Sequence, residues 1–222
     1  MRPQRRARRA PSAPPGRRPA GAVAGPFAAA AAAAFCIFGG AAHAADADGA
    51  FAIKDAGAQT CGAFLKAWDE GNRDLAQYAG WLSGYLTGLN QFTDGAYDLA
   101  PWQSTETLLG MTRSACGQVP EETRFLDAFA RLIQQMAPMA LSASSKLEGV
   151  RRGGRGFAIY SAVLDAAKRR LAAEGFAPGP VEAEFDQTAS DAFLAFQKAR
   201  GLEETGLPDQ KTLFELFMRP GD

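Results

Sequence analysis

The side chains that most often carry hydrolytic chemistry are almost missing from this chain of 222 residues. It holds one histidine, His43, and three cysteines, Cys36, Cys61 and Cys116. His43 lies in a stretch that reads as a removable leader, so the chain left after cleavage has no imidazole. That excludes Ser-His-Asp and Cys-His nucleophilic catalysis, and His-ligated zinc. Carboxylates are what is left. Glu70, Glu106 and Glu148 are available as acids for glycosidic cleavage, which usually needs a second carboxylate about 5–10 Å away. None of the three sits in a catalytic motif. No catalytic residue, metal or cofactor is therefore expected, and a glycosidase or lytic transglycosylase ranks below two binding readings.

The leader sets the compartment. Arg2, Arg5, Arg6, Arg8, Arg9, Arg17 and Arg18 come with no acidic residue, and an Ala-rich apolar run from Ala20 to Ala42 follows. Ala42-His43-Ala44 is a small-x-small cleavage signature. Residues 1–44 read as a secretory signal peptide, with the mature chain starting near Ala45 in the periplasm or outside the cell. The alternative is an uncleaved membrane anchor, but the run is mostly Ala and Gly and is broken by Pro26. Phe35 before Cys36 argues against a lipoprotein. Without the seven leader arginines, 17 basic residues face 24 acidic ones, a net charge of −7. An acidic exported chain is a poor nucleic-acid binder. In an oxidising compartment Cys61 and Cys116 are expected to pair, two free thiols being the alternative. Closing that loop stabilises a fold by roughly 4 kcal/mol in the chain-entropy model.

Apolar spacing in the remainder is helical, so the fold class expected is all-α. After a disordered stretch over residues 45–58, a helical module spans 59–142. Thr60 opens a helix bearing Phe64, Leu65 and Trp68, stopped by Gly71-Asn72. A second helix runs from Asp74 to about Gln91, with Leu75, Tyr78, Leu82, Tyr85, Leu86 and Leu89 on one face. Beside that face lie Gly80, Gly84 and Gly88. Each glycine costs about 1 kcal/mol in a helix interior, so another helix is expected to approach them closely. Ser104 or Thr105 caps a third helix that reaches Cys116. Phe125, Phe129, Leu132, Ile133 and Met136 mark another. The module has four or five helices, with the disulfide tying the first to the one before last. CGAFLKAW, YAGWLSGYLTGLN, TRSACGQVP and FLDAFARLIQQM together resemble a loose group of small helical periplasmic proteins. That group includes acid-stress chaperones and type VI secretion immunity proteins. The resemblance implies a disulfide-bonded module that binds other proteins.

Residues 143–156, ending in RRGGRG, read as a Gly/Arg linker, with a basic patch for anionic wall polymer as the alternative. Beyond it a helix bears Val163, Leu164, Ala167 and Leu171. Then comes GFAPGPVEAEFDQTASDAFLAFQKARGLEETGLPDQKTLFELF. Through Gly175, Phe176, Phe196, Gly201, Leu202, Gly206, Asp209 and Thr212, residues 157–219 resemble the peptidoglycan-binding-like domain, a three-helix bundle. Gly175 and Gly201 suit left-handed helix ends, and Thr188 and Asp209 suit N-caps. Phe193, Phe196, Leu213, Leu216 and Phe217 supply a small core. The resemblance implies peptidoglycan as partner, with Gln197, Arg200 and Thr205 as exposed contact candidates. Two positions depart from the family pattern. Glu182-Ala183 and Asp186 stand where it usually has Asp-Gly and a glycine, which means a different turn or strain.

Two binding readings follow. In the first, a non-catalytic envelope protein docks on peptidoglycan through its C-terminal bundle and presents the helical module. In the second, the helical module recognises an envelope protein and the bundle is only a scaffold.

Overall fold

Among the described residues, four helices and two short 3₁₀ turns, Asp55–Ala58 and Ala137–Met139, build the first half. The computed structural model describes residues 45–46, 48–71, 73–182 and 184–218. The expected leader, with His43 and Cys36, lies outside the described residues. Helix α1 (Cys61–Glu70) starts where Thr60 Oγ1 accepts from Ala63 N at 3.2 Å, and ends at Gly71 in the left-handed region. Helix α2 spans Asp74–Phe92. Ser104 caps α3 (Thr105–Cys116) through Thr107 N at 3.1 Å, and α4 is Phe125–Met136. The Cys61–Cys116 disulfide is present, joining the first residue of α1 to the last of α3. Phe64, Tyr78 and Phe125 meet with ring centroids 4.8 Å apart in each pair, at the centre of the first hydrophobic core. Tilted and edge-on rings at this spacing add to the burial energy of each.

Two expectations fail here. The stretch taken as disordered over residues 45–58 ends in a 3₁₀ turn, Asp55–Ala58, with Ala56 buried. Gly57 lies so close to Trp81 that an added Cβ would sit 2.0 Å from its ring. Only the absent side chain lets the turn pack on α2. The glycine strip is the second. A Cβ added at Gly80, Gly84 or Gly88 would meet nothing within 4 Å, so no helix among the described residues approaches there. Helix α2 packs instead through Tyr78 and Leu82, and nothing among the described residues offsets the helix cost of the three glycines.

The expected linker is also corrected. Strands β1 (Leu147–Arg152) and β2 (Arg155–Tyr160) form an antiparallel hairpin, in register from Leu147 opposite Tyr160 to Arg152 opposite Arg155. Gly153 and Gly154, both at positive φ, make the two-residue turn that suits the right-handed twist of a hairpin. Glu148, Val150 and Arg152 alternate inward while Leu147, Gly149 and Arg151 face water. Val150 and Ile159 enter the second core.

Helices α5 (Ser161–Ala173), α6 (Gln187–Arg200) and α7 (Gln210–Met218) complete the chain. The described residues are thus mostly helical, with one small sheet. The halves interlock within the compact unit Ala50–Asp222. Trp102, between α2 and α3, is buried in the second core and packs 6.0 Å from the Phe217 ring. Gln210 Nε2 donates to the Trp102 carbonyl, and its Oε1 accepts from Ser104 N at 2.9 Å. No helix among the described residues is long and apolar enough to cross a membrane.

Candidate functional site

The corner between α6 and α7 is organised by one amide. Gln197 is fully buried. Its Nε2 has the Leu207 carbonyl at 2.9 Å and Thr205 Oγ1 and Thr212 Oγ1, both at 2.8 Å, within reach, three acceptors for its two N–H groups. Its Oε1 accepts from Gly206 N at 2.7 Å. Gly206 lies at φ 63°, so the loop reaches the amide only with a residue tolerant of that backbone. Asp209 caps α7: its Oδ1 accepts from Thr212 N at 2.9 Å and from Thr212 Oγ1 at 2.8 Å. Thr205 Oγ1 donates to Asp209 Oδ2 at 2.6 Å. The 205–212 loop is therefore a closed polar network over an apolar floor, with its groups paired as buried polar atoms must be.

This corrects the expected contact residues. Gln197 has no surface to offer a ligand, because its polar atoms hold the loop. Arg200 Nη2 donates to Glu174 Oε2 at 2.9 Å, and its guanidinium lies 5.6 Å from the Phe196 ring centroid. It ties the end of α6 to the end of α5. Thr205 is half-buried and bonded within the network. Gln197 and Thr205 meet in the corner, and Arg200 lies at the junction of α5 and α6. Spacing along the helix could not tell an inward Gln from an outward one.

The two glycine corners are alike. Gly175 and Gly201 both take positive φ. Phe176 N bonds back to the Leu171 carbonyl at 2.9 Å, and Leu202 N to the Gln197 carbonyl at 2.8 Å. Each is a left-handed helix end that satisfies a carbonyl of the last turn. Phe176 then packs edge-on against Phe196 at 5.6 Å.

The departures from the family pattern have a physical account. Asp186, and not Thr188, caps α6: its Oδ1 accepts from Ala189 N at 2.8 Å, with the backbone extended at φ −119°. No glycine is needed there, and no strain arises. Glu148, a candidate acid from the sequence, instead accepts from Phe185 N, so β1 supports the loop that lacks the usual turn. Buried Lys168 donates to the Glu184 carbonyl at 3.4 Å. Ala183 lies outside the described residues. Glu70, Glu106 and Glu148 sit on α1, α3 and β1 and are not gathered by any one element. Among the described residues no group of three His, Cys, Asp or Glu could hold a metal ion.

Sequence reasoning missed the hairpin's part in this corner. Arg152 Nη1 donates to Ser190 Oγ and, at 3.1 Å, to Asp191 Oδ1. Ser190 Oγ donates onward to the Gly206 carbonyl at 2.8 Å. Arg155 Nη1 donates to Glu203 Oε1. The overlooked signal was Gly-Gly between two short runs of alternating residues. Beside these pairs lies a cleft of about 370 Å³, lined by residues of β2, of the 202–209 loop and of the first turn of α7.

Comparison with known proteins agrees with this geometry. No curated protein and no solved structure matches the chain, and the resemblance of residues 59–142 to periplasmic chaperones and immunity proteins has no counterpart in these comparisons. Residues 162–216, which take in nearly all of α5 to α7, match the family model of a putative peptidoglycan binding domain.

Proposed function

We propose that this is an exported, non-catalytic envelope protein that docks on peptidoglycan through α5–α7 and carries the α1–α4 module beside it. The observation that supports it is the coincidence of the family match at residues 162–216 with a pre-ordered loop built on Gln197. Export rests on the leader and fits the disulfide, which persists in oxidising compartments. The oxidised full chain is expected to co-sediment with purified sacculi. Recovery no greater than that of an unrelated helical protein would refute the reading. N-terminal sequencing of the protein from an envelope fraction should find Ala45 first. A peptidoglycan zymogram should show no clearing.

A second reading, recognition of an envelope protein by the helical module, is favoured by one observation. A groove of about 520 Å³ runs between α3, α4 and α7, lined by Met111, Leu132, Phe214 and Met218 among others. Crosslinking in envelope extracts tests it, and absence of a reproducible partner argues against it.

A further inference from the structure

We propose that the β1–β2 hairpin forms the second wall of the cleft at the α6–α7 corner, and that this cleft takes the free-carboxylate end of a peptidoglycan stem peptide. The inference rests on the wall-docking reading above and narrows it to one chemical group.

The wall is not part of the matched family residues. Arg155 and Phe157 lie before residue 162, yet both line the cleft, opposite Leu202, Glu203 and Lys211. Their direction follows from the register. Phe157 stands opposite Val150 and Arg155 opposite Arg152, and cross-strand partners share a face. That face bears Val150 and Ile159, both in the core, so it looks toward the bundle. Phe157 is nevertheless 37% exposed where Val150 is fully buried. Its ring therefore sits at the edge of the core and opens on the cleft. Leu207, buried at the floor, and half-buried Leu202 continue the apolar surface.

The charges select the ligand. Two cations, Arg155 and Lys211, flank the cleft. Two anions line it as well: Asp209, which caps α7 and accepts from Thr205 and Thr212, and Glu203, which pairs with Arg155. Arg155 gives Glu203 one of its five donors. Lys211 forms no ion pair with any described residue. The formal charges lining the cleft balance, and the Lys211 ammonium beside an apolar floor is left to meet a carboxylate with a methyl group next to it, as at an alanine terminus. Glu203 is placed to meet an ammonium on the same peptide. A stem-free glycan strand offers a lactyl carboxylate but no ammonium beside it. At about 370 Å³ the cleft is at the low end of ligand-sized pockets, enough for a short peptide end and too small for a disaccharide with its stem.

Calorimetric titration of the oxidised full chain with three probes tests this. The probes are a synthetic stem pentapeptide with a free C-terminal carboxylate, the same peptide amidated, and stem-free glycan chains. The acid should bind and the amide should bind about tenfold more weakly, the worth of one charge-assisted hydrogen bond. R155A and K211A should each weaken the acid about tenfold on the same grounds, and K66A on α1 should not. Arg155 also braces the hairpin, so K211A, on an exposed turn of α7, is the deciding variant if R155A loosens the fold. Equal binding of acid and amide, unchanged binding by K211A, or binding of glycan in place of peptide overturns the proposal. Sacculus retention measured in parallel separates the two claims. A chain retained on sacculi that ignores the peptide refutes the cleft alone, and a chain not retained refutes both.

Discussion

At the scale of the residue, Gln197 accepts from one backbone amide and turns its two N–H groups toward a carbonyl and two hydroxyls, with no exposed surface, and so belongs to the fold. Replacing it with alanine leaves Gly206 N and the Leu207 carbonyl buried without partners. Gln197→Ala is expected to lose about 3 kcal/mol of stability, read as a lower urea midpoint, with sacculus binding lost only where the fold is lost. Asp165 on α5 acts in the opposite sense. Burial, reinforced by Glu182 and Glu148 and opposed by Arg169 and Lys168, raises its pKa. A carboxyl whose folded pKa exceeds its unfolded value favours the folded state when protonated, so its ionisation weakens the fold as pH rises through that pKa. Asp165→Asn should therefore raise the melting temperature at neutral pH, and the gain should vanish below the ordinary carboxylate range. A gain of the same size at both pH values would contradict this.

Among the elements, the hairpin and α2 are informative for opposite reasons. The hairpin is held by a two-glycine turn, by Val150 and Ile159 in the core, and by arginines that reach Ser190, Asp191 and Glu203. The segment leading into it has a second task, since Ser145 just before β1 accepts from Ala162 N at 3.1 Å and so caps α5. Helix α2 presents glycines to open space. With no neighbour to clash and ordinary helical backbone, Gly84→Ala should stabilise the protein by about 1 kcal/mol. A destabilising outcome in thermal melts would show that something packs on that face in solution.

At the scale of the whole molecule, the two halves are coupled. Trp102 belongs to the second core by contact, though it lies in the first half by sequence. A fragment of residues 157–222 lacks β1, the strand that supports Phe185, and Trp102, which covers Phe217. It should melt well below the full chain, with circular dichroism at matched concentrations as the check; a bundle as stable as the parent would contradict the coupling. The disulfide closes a span of 55 residues around the first core. A C61A/C116A double variant should lose roughly 4 kcal/mol, measured by urea denaturation.

The sequence by itself determined the helices, their caps at Thr60 and Asp209, a third at Ser104 or Thr105, the left-handed corners at Gly175 and Gly201, and the cysteine pair. These features depend on neighbours within a turn or on the count of one residue type, so local chemistry suffices. Only the tertiary structure decided which way Gln197 points, that RRGGRG is a hairpin turn, that Asp186 replaces Thr188 as the cap, and that the glycine strip meets nothing. Each of those depends on what another segment, distant in sequence, brings to the same place, and spacing along one element carries no record of it.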